Sequence, residues 1–555
     1  MEKISLLQRE RAGYKPKLPA IFSEGKNIIT VDGDKTESVG NQDVIRTMFP
    51  KTFGLPLIHF EKGGKGEFPS VNVGVILSGG QAPGGHNVIS GLFDGLKIFN
   101  PENRLYGFLG GPGGFVDNKY KELTETLIDK YRNTGGFDII GSGRTKLEKT
   151  DQFEKGLKNL EALRINALVI IGGDDSNTNA GVLAEYYKKN NTGIQVIGCP
   201  KTIDGDLKND MIEISFGFDT ATKVYSELIG NIARDANSAK KYWHFIKLMG
   251  RSASHIALEC GLKTQPNVTL VSEEVEAKAM PLSCIVDGIA DIIVKRSENG
   301  DNFGIVLIPE GLIEFIPEMK SLISELNDTM ARQSDKLDSL NTQKEKREYI
   351  LSVISDKSAD LYASLPVEIA DQLIMDRDPH GNVQVSRIET EKLLIKMVTD
   401  ALKTRKVQGT YNGKFSALSH FFGYEGRCAA PSNFDADYAY SLGYTAAALI
   451  VSGKTGYMSS VRNLTNEPKN RVPGGVPLTM MMNLERRHGE DKPVIRKALV
   501  DLEGHPYKIL LKNRKDWAEK TCYLYPGPIQ YFGPDSVTDQ KTETLILEKD
   551  LNNNI

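Results

Sequence analysis

From residue 71 onward, short apolar runs alternate with longer stretches in which apolar residues recur at helical spacing. The apolar runs predict buried strands, at residues 71–77, 104–109, 166–171, 194–199, 244–250, 268–272, 303–311 and 455–461. The amphipathic stretches between them predict helices, at residues 85–99, 120–132, 153–163, 179–188, 252–261, 281–297 and 433–453. Strands that alternate with helices in this way favour parallel sheets with helices on both faces.

This alternation predicts an α/β fold with two Rossmann-like three-layer domains and mostly parallel sheets. The expected organisation has five parts, which are an N-terminal extension (1–70), a first α/β domain (71–240), a second α/β domain (241–317 and 406–465), a helical insertion (318–405) and a C-terminal extension (466–555). The insertion is recognised by a change in composition, because the sequence becomes highly charged after Pro317.

The composition adds exclusions rather than a function. The chain has 555 residues, 40% hydrophobic and 25% charged, and 69 basic against 72 acidic side chains give a net charge of −3. Nothing global therefore favours nucleic acid, and no apolar run is long enough to predict a membrane span. The first residues do not resemble a signal peptide. The five cysteines are scattered without a CxxC motif, which favours a reducing cytoplasm and argues against disulfides or a zinc site.

Glycine-rich turns follow several of the predicted strands. Four of them are "SGGQAPGGHN" (Ser78–Asn87), "GGPGG" (Gly110–Gly114), "GSGR" (Gly141–Arg144) and "GGDDS" (Gly172–Ser176). Open α/β sheets bind ligands at the carboxyl ends of their strands, and glycine lets backbone N–H groups approach an anion there. The sequence therefore predicts a phosphate site. It contains neither a Walker A motif nor GxGxxG, which argues against P-loop kinases and Rossmann dehydrogenases.

Carboxylates and a lysine lie among these turns. Asp174 and Asp175 belong to "GGDDS", and "PKTIDGDL" brings Lys201, Asp204 and Asp206 directly after another strand. Phosphoryl transfer to an alcohol needs a carboxylate for the hydroxyl proton, Mg²⁺ for the phosphate oxygens and a cation at the developing charge. These residue types suit those three roles, although solvated acids in an Asp-Gly turn would be an alternative interpretation of "DGD" alone.

Taken in order, the motifs resemble the phosphofructokinase family, and they are most similar to its long, pyrophosphate-dependent branch. The resemblance runs from Gly74 to about Asn463 and rests on "GVILSGGQAPGGHNVI", "GGDDSNTNA", "PKTIDGD", "LMGRSASHIALE", "IPEG" and "GYEGR". It implies phosphorylation of the 1-hydroxyl of fructose 6-phosphate in glycolysis, with Mg²⁺ as cofactor. The joint order of the motifs carries the resemblance, whereas each motif alone would be weak.

The resemblance also implies roles for individual residues. The proton acceptor would be Asp204, Mg²⁺ would be held by Asp174, and the donor phosphates would lie at Gly80 and Arg144. Residue type and position add Asp206 as a second carboxylate for Mg²⁺ and Lys201 as the cation at the donor phosphates. The sugar would be bound by Thr202, Ile203 and Asp204, by Met249, Gly250 and Arg251 of "LMGR", by Glu310 of "IPEG", and by Tyr424, Glu425, Gly426 and Arg427 of "GYEGR". Lys241 and Tyr242 lie where the family lends residues to the neighbouring subunit, which implies a homodimer.

Asp175 and Lys201 indicate the donor. The ATP-using branch has glycine in place of Asp175 and commonly in place of Lys201, and the first glycine leaves room for the α-phosphate of ATP. A carboxylate there would repel that phosphate by about 4 kcal/mol at 4 Å in an effective dielectric of about 20, which is roughly a thousandfold in affinity. We therefore expect pyrophosphate as donor. An ATP-dependent enzyme and a non-catalytic regulatory subunit are the alternatives, and the second is disfavoured by the presence of both Asp174 and Asp204.

Overall fold

The computed structural model describes residues 5–64, 66–375, 383–487, 490–529 and 533–550 of the protein. These residues divide into two units. Unit 1 comprises the described residues of 1–224, 424–498 and 529–549, and unit 2 comprises those of 225–423 and 499–528 together with residue 550.

The strands are β1 Ile28–Lys35, β2 Pro56–Lys62, β3 Asn72–Leu77, β4 Arg104–Phe108, β5 Tyr120–Glu122, β6 Ala167–Gly172, β7 Gln195–Thr202, β8 Phe216–Gly217, β9 Tyr242–Leu248, β10 Val268–Thr269, β11 Phe303–Pro309, β12 Ala417–Phe422, β13 Tyr457–Arg462, β14 Val472–Pro477, β15 Met482–Arg487 and β16 Glu490–Ile495.

The helices are α1 Leu6–Ala12, α2 Gln42–Met48, α3 Gly85–Phe99, α4 Pro112–Val116, α5 Glu125–Asp129, α6 Thr150–Ala162, α7 Asp174–Lys189, α8 Phe218–Ala239, α9 His255–Thr264, α10 Ser272–Ala277, α11 Leu282–Glu298, α12 Leu312–Phe315, α13 Pro317–Arg332, α14 Ser334–Asp338, α15 Gln343–Val353, α16 Asp356–Ser364, α17 Val367–Met375, α18 Thr390–Val407, α19 Tyr424–Arg427, α20 Asn433–Val451, α21 His505–Glu519, α22 Asp535–Thr538 and α23 Glu543–Lys549.

Unit 1 is built on a mixed sheet with the strand order β1-β2-β14-β13-β7-β6-β3-β4-β5, and β8 pairs with β7. The central strands β13, β7, β6, β3 and β4 run parallel, and β6 is buried along its whole length. A parallel strand covered on both faces needs a continuous apolar run, which is why these strands stand out in the sequence. The chain runs from β3 to β4 on one side and returns to β6 on the other, so the strand order switches direction between β3 and β6.

Helices α3 and α20 pack closely against each other in unit 1. A Cβ placed on Gly91 of α3 would lie 2.0 Å from the carbonyl oxygen of Tyr440 on α20. Reciprocally, a Cβ on Gly443 of α20 would lie 2.0 Å from the carbonyl oxygen of Val88 on α3. Both distances are shorter than any van der Waals contact, so glycine at these positions lets the two backbones touch.

Unit 2 contains a parallel sheet with the order β10-β11-β9-β12. The predicted insertion at 318–405 is mostly helical, as expected, and is formed by α13 to α18. Its apolar side chains share one core with the sheet, because Leu322, Ile350 and Leu393 cluster with Trp243 and Val306. The helical insertion is therefore an integral part of unit 2.

The predicted α/β class with mostly parallel sheets is confirmed, but three expectations differ from the structure. The stretch 120–132 is not one helix, since β5 pairs antiparallel with β4 and only α5 is helical. Residues 424–465 belong to unit 1 rather than to the second domain, because β13 pairs with β7. The extensions at 1–70 and 466–555 supply β1, β2 and β14 to the main sheet, and the latter extension is divided between the units.

Among the described residues, no helix combines the length and the apolar character that crossing a bilayer requires.

Candidate active site

The predicted phosphate loops of unit 1 meet at the point where the strand order switches. The loops after β3 and β6 are adjacent, because Leu77 pairs with Ile171, and the hydroxyl of Ser176 donates a hydrogen bond to Ser78 Oγ at 2.8 Å. The "GSGR" loop lies beside them, since the N–H of Gly79 donates to the carbonyl oxygen of Gly143 at 2.9 Å. In open α/β sheets this crevice is the usual ligand site.

Two cationic side chains lie against the glycines that follow β3. A Cβ on Gly80 would lie 3.0 Å from Nη1 of Arg427, and a Cβ on Gly79 would lie 3.3 Å from Nζ of Lys201. Gly79 has a φ of +83°, a conformation that side chains rarely adopt. The absence of side chains at 79 and 80 thus leaves both cations facing the exposed backbone of the loop, which is an arrangement suited to an anion.

Lys201 lies near the end of β7 and is buried. Burial and the nearby guanidinium of Arg427 lower the pKa of the Lys201 ammonium to about 8, against the opposing effect of Asp204 and Asp174. A buried ammonium beside another cation is costly in the free protein, and an anion bound there would relieve that cost. Arg144 is exposed, and its charge also lowers the pKa of Lys201.

Two of the predicted acidic residues, Asp174 and Asp204, lie near enough to this lysine to affect its pKa. Asp174 is the first residue of α7, where a carboxylate is stabilised by the helix N-terminus. Asp204 and Asp206 follow β7, and the backbone N–H of Asp204 donates to the hydroxyl of Thr202 at 3.0 Å. Burial raises the pKa of Asp206 to about 7, and the charges of Asp204 and Asp174 contribute to that rise. The three carboxylates are therefore close enough to repel one another.

One carboxylate oxygen of Asp204 is poised for a ligand. Its Oδ1 is buried and has no hydrogen-bond partner among the described residues. A buried acceptor without a donor is costly in a native structure. A substrate hydroxyl would satisfy Asp204, which fits the predicted proton acceptor. Ile203, also predicted for the sugar site, has a buried side chain, so it can offer a ligand its backbone.

Asp174 and Asp206 suit Mg²⁺ in a particular way. Within the described part of the chain, no group of three or more His, Cys, Asp or Glu side chains is arranged to hold a metal by itself. Magnesium, however, is commonly held by one or two carboxylates together with substrate phosphates and water. Two neighbouring carboxylates beside a phosphate loop are such a donor set.

Asp175 is exposed on the first turn of α7, next to Asp174. Its position places a second negative charge at the rim of the phosphate loop, beyond the acidic residue assigned to the metal. Its predicted role in excluding a longer donor stays a prediction.

In unit 2, the predicted sugar-binding motifs meet at the carboxyl ends of β9 and β11. These strands are parallel neighbours, with Leu248 opposite Pro309. The N–H of Gly250 donates to Oε2 of the buried Glu310 at 2.9 Å, and Gly250 has a φ of +121°. Glu310 thus holds the turn that presents Met249 and Arg251, in addition to its predicted role toward sugar hydroxyls.

Contacts around this turn explain other residues of the motifs. A Cβ on Gly311 would lie 1.9 Å from the carbonyl oxygen of Arg251, so "IPEG" and "LMGR" touch through their backbones. Met249 is buried and lies against Gly423, whereas the side chain of Arg251 is exposed. Exposure leaves the guanidinium of Arg251 accessible to an anionic group.

The "GYEGR" motif crosses from one unit to the other. Gly423 belongs to unit 2, and Tyr424 to Arg427 form the short helix α19 in unit 1. Tyr424 is 70% exposed, Glu425 is exposed and Gly426 is buried. Arg427, predicted to bind the sugar phosphate, lies over Gly80 of the donor loop. Its sugar-phosphate role stays a prediction.

Lys241 and Tyr242 lie at the opposite end of β9 from Gly250. A strand of that length separates the two ends by about 20 Å, so these residues do not join the sugar motifs of the same unit. Tyr242 has a φ of +72°, which is strained for an aromatic residue, and such strain clusters at functional positions. The structure therefore leaves Lys241 and Tyr242 outside the group that β9 and β11 bring together.

One lysine beside the acidic group was not predicted from the sequence. Lys497 in unit 1 places its Nζ 3.5 Å from Oδ2 of Asp174 and 4.0 Å from Oδ2 of Asp206. It follows β16 in the C-terminal extension and belongs to no recognisable motif. The hairpin of β15 and β16 brings it to the site, which the sequence pattern does not reveal.

Comparison with known proteins identifies the family and several full-length relatives. The profile of the phosphofructokinase family matches residues 72–450. Three curated relatives carry the name pyrophosphate–fructose 6-phosphate 1-phosphotransferase and align over 98% of this chain. They come from Porphyromonas gingivalis (61% identical, 99% of its length), Treponema pallidum (55%, 97%) and Entamoeba histolytica (52%, 100%).

Solved structures resemble the fold at much lower identity. A pyrophosphate-dependent phosphofructokinase from Marinobacter aquaeolei superposes with a TM-score of 0.53 at 16% identity, covering 82% of this chain and 93% of its own. Another from Nitrosospira multiformis gives a TM-score of 0.52 at 17% identity, covering 84% and 96%. At such identities the likeness concerns the fold alone.

Proposed function

The chain belongs to the phosphofructokinase family, and we propose that it transfers a phosphoryl group from pyrophosphate to the 1-hydroxyl of fructose 6-phosphate. The products are fructose 1,6-bisphosphate and phosphate. Pyrophosphate is closer than ATP is to the product's 1-phosphate ester in phosphoryl-transfer potential, so we expect the reaction to be reversible. Such a reaction is usable in both the glycolytic and the gluconeogenic direction.

The observation that carries the proposal is the environment of the donor loop. Lys201 is buried against Gly79, and Asp175 adds a charge beside Asp174 at the rim of the same loop. A donor without adenosine must be held through its phosphates, which suits a buried lysine. Asp175 penalises the α-phosphate of ATP by charge and volume, and pyrophosphate has no third phosphate to meet it.

Asp204 is the proposed proton acceptor. Its buried Oδ1 has no partner among the described groups, so a substrate hydroxyl placed there would donate to it and then lose its proton to it. Lys201 stabilises negative charge on the transferring or leaving phosphate oxygens. Gly80 and Arg144 complete the donor site through backbone and charge.

Asp174 and Asp206 are the proposed ligands of Mg²⁺, which would neutralise charge on the phosphate oxygens and align them for transfer. Both carboxylates are held before any ligand arrives, one by the start of α7 and the other in the loop after β7. The proposed role of Asp175 is to select the phosphoryl donor, and it is not a proposed metal ligand.

Residues of unit 2 are proposed to bind fructose 6-phosphate. The turn of Met249, Gly250 and Arg251, held by Glu310, offers an exposed guanidinium and a buried carboxylate. A cation suits the sugar phosphate, and a carboxylate suits sugar hydroxyls. The proposed set also includes Thr202, Ile203, Tyr424, Glu425, Gly426 and Arg427.

A homodimer is proposed because Lys241 and Tyr242 lie away from the other sugar motifs of their own unit. In the proposed arrangement they complete the sugar site of a second copy of the chain. The proposed location is the cytoplasm, where the five cysteines, which are free, would stay reduced.

The donor is tested by initial rates with fructose 6-phosphate, Mg²⁺ and either pyrophosphate or ATP at equal concentrations. We expect turnover with pyrophosphate to exceed that with ATP by about a hundredfold or more. The reverse reaction should form pyrophosphate from fructose 1,6-bisphosphate and phosphate. Turnover with ATP and none with pyrophosphate would instead identify an ATP-dependent enzyme, and no turnover with either would identify a non-catalytic subunit.

A further inference from the structure

The segment that carries Lys497 is tied to the acidic group on both sides. The N–H of Ile495 donates to Oγ1 of Thr178 on α7 at 2.9 Å, and the N–H of Ala498 donates to the carbonyl oxygen of Asp206 at 2.7 Å. The backbone between these bonds is thereby fixed next to the start of α7 and to the loop after β7. Hydrogen bonds on both sides of Lys497 therefore fix the position of its backbone.

The side chain of Lys497 lies beside both proposed metal ligands. Its Nζ is 3.5 Å from Asp174 and 4.0 Å from Asp206, and the side chain is 28% exposed. These distances exceed the usual 2.7–3.2 Å of an N–H···O hydrogen bond. The ammonium therefore balances the two carboxylates without a short bond to either, and its flexible four-carbon stem allows it to withdraw.

We propose that Lys497 is a positioning residue, a tethered cation that holds Asp174 and Asp206 together before a divalent cation arrives and competes with that cation for them. The inference rests on the proposed function, which assigns the metal to these two carboxylates. Like charges this close repel, and an ammonium between them offsets the repulsion. A divalent cation that binds the same oxygens must move the ammonium away. Lys497 therefore stabilises the metal-free arrangement of the two carboxylates and lowers their affinity for the metal.

The proposal predicts that removing the ammonium strengthens metal binding. A merely structural role would leave the affinity unchanged or weaken it. Lys497→Met keeps the length of the side chain and removes its charge, whereas Lys497→Arg keeps a charge. Lys492 provides a matched control, because it lies on β16 with 34% side-chain exposure and pairs with Glu148 at 4.0 Å.

The experiment uses the full chain, freed of metal by chelation, and Mn²⁺ as the probe, without sugar or pyrophosphate. Free Mn²⁺ is measured by electron paramagnetic resonance during titration. We expect Lys497→Met to bind Mn²⁺ about fivefold more tightly than the unmodified chain, and Lys497→Arg and Lys492→Met to stay within about twofold. Asp174→Asn should weaken Mn²⁺ binding about tenfold, both in the unmodified chain and in Lys497→Met. That loss would show that the ion binds at Asp174.

Thermal unfolding supplies an independent readout. Without metal, Lys497→Met should unfold at a lower temperature than Lys492→Met, and Mn²⁺ should raise its unfolding temperature more than that of the unmodified chain. If Lys497→Met does not fold, Lys497→Gln replaces it in both measurements.

Unchanged or weaker Mn²⁺ binding by Lys497→Met would overturn the inference, and so would Mn²⁺ binding that Asp174→Asn does not alter. A raised KM for pyrophosphate with unchanged Mn²⁺ affinity would overturn it in favour of a phosphate-binding lysine. The donor assay on the unmodified chain tests the proposed function separately, because it does not depend on Lys497.

Discussion

The ammonium of Lys201 lies against Gly79, so that a Cβ on this glycine would be 3.3 Å from Nζ. The lysine is buried at the end of β7 and faces the backbone of the loop that follows β3, two strands away in the sheet. Because burial disfavours a cation, Lys201 loses its proton more readily than an exposed lysine does. We therefore expect the activity to depend on pH.

Lys201 should set the alkaline limit of activity. Burial and Arg427 lower the pKa of this ammonium to about 8, so the charge that binds pyrophosphate is present below pH 8 and lost above it. We expect kcat/KM for pyrophosphate, which reports the free enzyme, to fall above about pH 8. Lys201→Arg, which stays charged, should move this fall upward by about one pH unit or more.

The measurement is kcat/KM for pyrophosphate from about pH 6.5 to pH 9.5 in both proteins. Arg427→Gln provides a second check, since removing the neighbouring charge should raise the pKa of Lys201 and move the alkaline limb in the same direction. An alkaline limb that stays in place in Lys201→Arg would show that another group controls it.

Asp175 should exclude ATP by charge and by volume, and two substitutions separate these effects. Asp175→Asn removes the charge and keeps the shape, whereas Asp175→Gly removes both. We expect the inhibition constant of ATP against pyrophosphate to fall in that order, by about tenfold to a hundredfold overall once solvent screening is counted.

The double change Asp175→Gly with Lys201→Gly should also weaken pyrophosphate use, because the buried ammonium is lost. Competition assays against pyrophosphate measure both effects in one set of variants. If ATP binds no better in any of them, its exclusion lies outside the first turn of α7.

Gly91 should be essential to the stability of unit 1. A Cβ at this position would meet the carbonyl oxygen of Tyr440 at 2.0 Å, so Gly91→Ala must push α3 and α20 apart. We expect a loss of about 3 kcal/mol in the free energy of unfolding. Gly288 on α11 is the control, because nothing lies within 4 Å of its Cβ position, and Gly288→Ala should gain up to about 1 kcal/mol from helix propensity.

Denaturant unfolding of both variants decides this prediction. Equal stability of Gly91→Ala and the unmodified chain would mean that the two helices can separate without cost. A loss of stability in Gly288→Ala would show that helical alanine is unfavourable in this chain for reasons other than contact.

The elements best predicted from the sequence are those with a single unambiguous pattern. Helix α3 has its predicted bounds, and β3 and β6 fall within one residue of theirs, because wholly buried strands and amphipathic helices leave strong signals. Helix α7 begins at Asp174, five residues earlier than predicted, because its first turn is polar and faces the site. Strand β7 likewise continues to Thr202, which places Lys201 on a strand.

Long-range pairing was beyond prediction. Strands β2 and β14 are neighbours although the whole α/β core separates them in sequence, and β1 is mostly exposed at the sheet edge, where polar residues hide the strand pattern. Lys497 lies at the site because it follows the hairpin of β15 and β16, and none of the sequence motifs includes it. The motifs predicted which residues carry the chemistry, whereas the extensions that support them are defined by contacts that no local pattern encodes.

Glu310 should serve both the turn of unit 2 and the sugar, and two substitutions distinguish these roles. Its Oε2 accepts the N–H of Gly250 at 2.9 Å in a buried position. Glu310→Ala would leave that N–H without its acceptor, at a cost of about 1–3 kcal/mol in the free energy of unfolding. Glu310→Gln keeps an acceptor for Gly250 but removes the charge that receives sugar hydroxyls. We expect it to retain stability while KM for fructose 6-phosphate rises about tenfold and KM for pyrophosphate stays unchanged.

Steady-state kinetics with each substrate varied, together with unfolding curves, separate the two roles. Equal loss of stability in both variants would mean that the charge itself holds the turn, and an unchanged KM for the sugar in Glu310→Gln would remove Glu310 from the sugar site.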